Sequence, residues 1–599
     1  MINQRIKDLR SLMKKEEIDM YIIPSSDFHQ SEYVGEYFEC RQFMSGFTGS
    51  SGTLLVTQEE SILWTDGRYF IQAEEELKYS EIQLYKMGEE NVPTMKEYFD
   101  VNLKNDMCVG FDGRVISKSE ITTCINNITR IFLKGIEIKY DLDLVGEIWT
   151  DRKSLPKAKA FLHKLEYTGQ DFSRKLARLR KAMEEKYTNT HIMTSLDDIA
   201  WLFNIRGGDI KNNPVLLAYA IVTMEEVYLF TDKEKLNDEI YNELKEENVK
   251  VLAYEYIYQF VKTLSGENTI LLDPNKVNYR IYESISDESK IVQGTNPVLL
   301  FKAIKNNIEL KNIRNSHIKD GVAFTKFMYW LKTNIGKIEI TEISASEKLE
   351  SLRREQDHFI EPSFDSISAY KEHGAIMHYR ASEDTNYKLE EKDLYLIDSG
   401  GQYIDGTTDI TRTIGLGEVK DEQRKDFTNV VRGMIRLSMV KFLHGCTGHN
   451  LDILARGPMW DLGIDYKSGT GHGIGYVLNV HEAPNGFRWR VVPERNDSSI
   501  LEEGMVTTNE PGIYVKDSHG IRIENTLVTR KCEKNDYGQF MNFETITFAP
   551  IDLDVIEKDL MLSNEIEFLN KYHKEVFEKI SPFLNEEETA WLKHYTREI

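Results

Sequence analysis

The sequence predicts a mixed α/β and α+β architecture. Two similar α/β domains, residues 1–155 and 156–303, precede a larger third domain, residues 304–599, that ends in a helical tail. Three observations predict this. At 599 residues the chain is too long for a single hydrophobic core. The order of strands and helices in the first stretch returns in the second, with matching sequence. From about Ala303 the apolar spacing turns helical, and residues suited to metal binding gather in the strands beyond it.

Taken in order, residues 1–10 read as an amphipathic helix and lack the apolar core of a signal peptide. A strand follows at residues 19–23, then a loop rich in Ser, His and Tyr. Two strands come next, residues 52–57 and 61–70. Helices and strands alternate from there to about residue 150. The second domain repeats this order. Residues 191–198 (HIMTSLDD) echo residues 21–27 (YIIPSSD), and residues 201–207 (WLFNIRG) echo residues 43–49 (FMSGFTG). Residues 221–232 (IVTMEEVYLFTD) track residues 55–66 (LVTQEESILWTD) without a gap. Three matched segments in one order favour duplication over convergent strand–turn–strand sequence. Arg68 stands where the second copy has Glu234, so it could serve a site or simply form a surface ion pair.

In the third domain, helical spacing covers residues 303–332, and a capped helix is expected to start at Thr341. The tail, residues 552–599, places Leu562, Ile566, Leu569, Tyr572 and Val576 at three- and four-residue spacing, which predicts one face packed on the body.

Apolar residues make up 41% of the chain and charged residues 29%, an ordinary globular mix. The net charge of −23 argues against nucleic acid or an anionic membrane as partner. No apolar run has the length of a membrane span. Cys40, Cys108, Cys124, Cys446 and Cys532 show neither disulfide nor zinc-thiolate spacing. A cytoplasmic protein is expected.

The chemistry centres on residues 394–413, LYLIDSGGQYIDGTTDITRT. A strand brings in Asp398, a Gly-rich turn follows, and a second β-prone run carries Asp409. A hairpin closing between them would set the two carboxylates side by side, where they repel unless a cation or proton lies between. The alternative is a pair of ordinary turn aspartates. His472 lies among Gly469, Gly471, Gly473 and Gly475, a spacing that lets another backbone approach closely. Glu510 and Glu524 read as lying on the arms of a second hairpin turning at residues 516–519. Together, two Asp, one His and two Glu suit Mn²⁺, with Co²⁺, Zn²⁺ or Fe²⁺ as alternatives. Four carboxylates point to two metal ions rather than one.

Those five residues, in the settings DGTTDITRT, GTGHGIG, NEPGIY and GIRIEN, resemble the pita-bread metallopeptidases. The whole chain resembles the three-domain cytosolic aminopeptidase P (Xaa-Pro aminopeptidase) family. The segments IIPSSDFHQSEYV, WTDGRYFIQAE and LDDIAWLFNIRGGDI carry the likeness through two creatinase-type N-terminal domains. The resemblance implies release of an N-terminal residue that precedes proline, with a metal-bridging hydroxide as nucleophile. It implies that Asp398 binds the first ion, that Asp409 and Glu524 bridge both, and that His472 and Glu510 complete the second. Glu510 would also act as general base. His378 and His481 would hold the peptide carbonyl. Tyr514 and Arg522 would line the proline pocket or fix Glu524, and Arg68 would approach the substrate. Ser468 departs from the pattern, since the family often has histidine there. Trp460 matches a tryptophan at a dimer interface, which implies a homodimer, although a Trp buried in its own domain would read the same way. The rival readings are prolidase, restricted to dipeptides, and a silent peptide-binding module. Relatives of the silent kind lack the complete ligand set.

Overall fold

The computed structural model describes residues 1–125, 135–492 and 496–599. The part of the expected α/β alternation at residues 126–134 therefore lies outside the described residues. The chain divides into two compact units. Residues 1–163 with 170–298 form the first, and residues 164–169 with 299–599 form the second.

In the first unit, helix α1 (Ile2–Lys15) buries Ile6, Leu9 and Met13 along one stripe. Six strands follow: β1 (Met20–Pro24), β2 (Thr53–Thr57), β3 (Ser61–Thr65), β4 (Gln83–Lys86), β5 (Cys108–Phe111) and β6 (Glu137–Lys139). They form one sheet in the order β4-β3-β2-β1-β5-β6. A second sheet is built from β7 (Thr190–Met193), β8 (Ala218–Thr223), β9 (Val227–Thr231), β10 (Val249–Leu252), β11 (Thr269–Leu272) and β12 (Lys290–Gln293). Its order, β10-β9-β8-β7-β11-β12, is the same pattern again.

The pairing senses match as well. β1 runs antiparallel to β2 and parallel to β5, as β7 does to β8 and β11. Even the register recurs: Tyr21 pairs with Val56, and His191 pairs with Val222. The internal repeat seen in sequence is thus a repeat of topology.

The strand expected over residues 61–70 is shorter than its β propensity suggested. It stops at Thr65, and helix α2 begins at Phe70 (Phe70–Leu77). Asp66 breaks it, because its carboxylate takes the backbone N–H of Arg68 at 3.1 Å and closes a turn.

In the second unit, α3 (Asn307–Asn334) starts with a capping box between Asn306 and Glu309, and α4 (Glu342–Arg354) is capped by Thr341 as expected. A three-stranded antiparallel sheet has β14 (Leu394–Ser399) between β13 (Ile367–Tyr370) and β15 (Ile410–Gly415). Phe324, Phe327 and Leu331 of α3 pack with Leu349 of α4 against Tyr395, Ile397 and Ile414 of this sheet. Helices α5 (Asp421–Ser438) and α6 (Gly448–Trp460) lead to the remaining strands: β16 (Gly471–Gly473), β17 (Glu482–Phe487), β18 (Val506–Asn509), β19 (Gly512–Val515), β20 (His519–Arg522), β21 (Asn525–Asn535) and β22 (Gly538–Thr545). The larger sheet has the order Phe442–Leu443, β22, β21, β18, β16, β17, while β19 and β20 pair as a separate hairpin.

The tail helix α7 (Ser563–Ile580) buries Leu569, Tyr572 and Val576 in the core that holds Phe427, Met434, Ile521 and Ile523. Ile566 is partly buried there. Leu562 departs from the predicted stripe: it precedes the helix as its cap and is 52% exposed. All five cysteines are free thiols, and no helix among the described residues is long and apolar enough to cross a membrane.

Candidate metal centre

Asp398 and Asp409 come together through neighbouring strands of the small sheet, though not directly opposite one another. Asp398 pairs with Thr411, and Asp409 lies two residues earlier, just ahead of β15. The expected side-by-side pairing is therefore diagonal. The reason is a second small hairpin, Gly401–Tyr403 with Gly406–Thr407, inserted between the two arms.

Glu510 and Glu524 also depart from the expected placement on hairpin arms. The β19–β20 hairpin is present, with Val515 paired to His519 around the predicted turn. The glutamates sit just outside it, where β18 ends and where β21 begins. Asn509 pairs with Asn525, and each glutamate is one step beyond that pair.

His472 arrives on β16. A Cβ on Gly471 would lie 2.0 Å from the Thr508 carbonyl, and one on Gly473 would lie 2.2 Å from that of Glu482. Only glycine allows strands this close on both sides of the histidine.

The donors converge. One atom each from Asp409, His472 and Glu524 lie within 4.8 Å of one another. His472 Nε2 is 3.4 Å from Asp409 Oδ2 and 3.3 Å from Glu510 Oε1. Its Nδ1 is 3.0 Å from the Gly473 carbonyl, which assigns the proton to Nδ1 and leaves Nε2 as the donor atom. Thr508 braces two of these groups, donating to Glu510 Oε1 at 3.2 Å and accepting from the His472 backbone N–H at 2.9 Å.

The electrostatics call for positive charge. Burial raises the Asp398 carboxyl to about 6, with Asp409 and Glu510 adding to the rise against the pull of Arg522. Burial pushes Glu524 well above the usual range, helped by the Asp409, Glu510 and Asp398 carboxylates. Burial works to lower His472, but Asp409 and Glu510 outweigh it and bring the imidazole up to about 9. Two buried carboxylate oxygens, Asp398 Oδ1 and Glu524 Oε1, have no hydrogen-bond donor. Orphaned oxygens in a crowd of carboxylates fit a cation, and four carboxylates with one imidazole fit hard divalent ions.

Arg522 and Tyr514 form part of the same cluster. Arg522 donates to Asp398 Oδ2 at 2.6 Å and to the Tyr514 hydroxyl at 2.6 Å. It thus holds Asp398 directly, and its Nε also donates to the Thr411 hydroxyl at 3.3 Å. That hydroxyl in turn donates to Glu524 Oε2 at 2.8 Å, so Arg522 reaches Glu524 through Thr411. His481 lies edge-on to His472, with ring centroids 4.3 Å apart. His378 follows Met377, whose carbonyl accepts from Arg522 at 3.5 Å. Arg68 belongs to the first unit, where Asp66 grips its guanidinium through two contacts of 2.8 Å. Trp460 is 40% exposed, bonded to Asp465 at 2.8 Å, and set edge-on to Trp489. It is therefore not a Trp buried in its own domain.

Sequence reasoning passed over Thr411, Thr508 and Arg412. Arg412 is fully buried and donates to the carbonyls of Glu524, Ala549 and Pro550, to Asn525 Oδ1, and to the Tyr572 hydroxyl. An arginine within the β-prone run of residues 410–415 was the available signal, because a buried guanidinium must find acceptors.

Fold and donor set together define a metal-dependent hydrolase centre. Profiles of known families match throughout: the creatinase/prolidase N-terminal domain at residues 5–128 and again at 151–309, metallopeptidase family M24 at 311–531, and the C-terminal region of peptidase M24 at 539–599. Xaa-Pro aminopeptidase 1 of Dictyostelium discoideum is 37% identical, covering all of this chain and 97% of its own. Aminopeptidase P2 of Arabidopsis thaliana is 36% identical, over all of this chain and 89% of its own. The crystal structure of X-prolyl aminopeptidase from Caenorhabditis elegans, described as a cytosolic enzyme with a di-nuclear active site, superposes with a TM-score of 0.95 at 34% identity and full coverage of both chains. The chain belongs to the Xaa-Pro aminopeptidase (aminopeptidase P) family of M24 metallopeptidases, with two creatinase-type N-terminal domains and a pita-bread domain. Family and donors make the centre one for two divalent metal ions.

Proposed function

We propose that this enzyme releases the N-terminal residue from peptides with proline in second position, using Asp398, Asp409, His472, Glu510 and Glu524 to hold two ions, of which Mn²⁺ suits the donors best. What carries the proposal is end-to-end likeness to Xaa-Pro aminopeptidases in a chain that has all five donors. Proline's tertiary amide has a fixed ring and no N–H, so general aminopeptidases handle it poorly and a dedicated site is needed.

When bound, the ions would lower the pKa of a water and polarise the scissile carbonyl. Glu510 takes the proton of the attacking water and delivers it to the departing proline nitrogen. His378 and His481 donate to the carbonyl oxygen as negative charge builds on it. Arg522, itself braced by Tyr514, keeps Asp398 ionised and aimed.

The test offers the Mn²⁺-loaded enzyme Xaa-Pro dipeptides beside longer Xaa-Pro-Xaa peptides. Cleavage of the longer peptides at the first bond is expected. Cleavage of dipeptides alone would make it a prolidase, and no cleavage with no bound metal would make it a silent module.

We further infer a homodimer through the face bearing Trp460 and Trp489, both about 40% exposed. Paired exposed tryptophans are typical of interface anchors. Sedimentation is expected to give a dimer at micromolar concentration, and Trp460→Glu a monomer; a wild-type monomer would remove the idea. Five free thiols fit a cytoplasmic setting, which fractionation would check.

A further inference from the structure

The buried carboxylate of Glu342 has no place in the reaction described above, yet it gathers four donors. Oε1 accepts from the Tyr370 backbone N–H at 2.7 Å and from His373 Nδ1 at 2.8 Å. Oε2 accepts from the Tyr379 hydroxyl at 3.0 Å and from the Tyr387 backbone N–H at 2.8 Å. The residue is fully buried at the first position of α4. A carboxylate out of water needs this many donors to be tolerated, and here both oxygens are supplied.

The donors are not scattered. Tyr370 and Tyr379 bound one segment, His373 comes from its middle, and His378 is the residue before Tyr379. The His373 ring is also stacked between Tyr379 and Tyr387, at 4.2 and 3.8 Å. The other side of the segment is pressed on β20: a Cβ on Gly520 would lie 1.6 Å from the Gly374 carbonyl. One residue before His378, the Met377 carbonyl meets Arg522, the same arginine that holds Asp398. The segment is thus tied to the metal-ligand strands on one side and to a single carboxylate on the other.

We propose that Glu342 is a positioning residue, closing residues 370–379 into a rigid loop that sets His378 against the scissile carbonyl. The proposal rests on the role given to His378 above. An ångström of drift in such a group can cost about 10²-fold in rate. Glu342→Gln keeps the size but turns an acceptor into an amide donor facing N–H groups, so the loop must shift.

The test is a double-mutant cycle on the Mn²⁺-loaded enzyme with an Xaa-Pro-Xaa peptide. Glu342→Gln is expected to lower kcat by about 10- to 100-fold, with KM within about threefold and two ions still bound per chain. In a His378→Ala background the same change should cost less than about twofold, because the group it positions is gone. Tyr379→Phe removes one of the four donors and is expected to show the same non-additivity at smaller scale; it carries the cycle alone if Glu342→Gln fails to fold. Full kcat in Glu342→Gln or Tyr379→Phe would overturn the proposal, as would losses that multiply with His378→Ala. Full kcat in His378→Ala by itself would remove the role of His378 and this proposal with it, a different failure from multiplying losses.

Discussion

Asp409→Ala should abolish measurable turnover and leave the dialysed protein with fewer than two ions per chain by elemental analysis. Asp409 Oδ2 sits in the cluster with His472 and Glu524, and its charge helps raise both Asp398 and Glu524. Removing it therefore does two opposite things. It takes away a ligand, so the stabilisation that bound metal confers shrinks; that stabilisation is about 2.7 kcal/mol per ion at a hundredfold excess over Kd. It also relieves repulsion with the Asp398 and Glu524 carboxylates but takes away a partner that holds the His472 imidazole up, so the metal-free variant should melt close to the metal-free wild type. Wild type treated with chelator should lose several degrees of Tm and regain them with Mn²⁺, while Asp409→Ala should be nearly indifferent to both. A variant that keeps two ions and the metal-dependent Tm would show that Asp409 is not a ligand.

Glu510→Gln should lower kcat by about 10²- to 10⁴-fold, the range for loss of a general base. The amide keeps the size of the carboxylate and an oxygen that can still accept from Thr508. Ground-state binding should therefore change little, so kcat and kcat/KM fall together. Steady-state kinetics with parallel metal analysis checks this. Full turnover would refute the base assignment, and loss of activity only in step with loss of metal would reduce Glu510 to a ligand.

The sequence carried the repeat clearly because residues 55–66 and 221–232 align without a gap, and the register they fold into is the same one. It could nominate candidate donors because each lies in a short run of unusual composition, and three of them, Asp409, His472 and Glu524, do gather. What it could not carry was the wiring between them. The chain of contacts from Arg522 to Asp398 directly and to Glu524 through Thr411 depends on a register displaced by the small hairpin within residues 401–407. Strand propensity does not encode that offset. Glu342 was equally hidden, since at the start of a helix a glutamate reads as an ordinary first-turn residue. Leu562 kept the helical period but preceded the helix, and periodicity does not mark where a helix begins.

The tail has one more consequence. Arg412 holds the Glu524 carbonyl while resting on the hydroxyl of Tyr572 from α7. Family profiles divide the chain between residues 531 and 539, which suggests separable modules. The hydrogen bonds do not respect that division. A catalytic fragment cut at residue 531 would leave a buried guanidinium facing lost acceptors, one hydrogen bond from the backbone of Glu524. The smallest heritable unit of this chemistry is therefore larger than its recognisable motif, and recombination or engineering that swaps the tail would have to carry Arg412 and Tyr572 together.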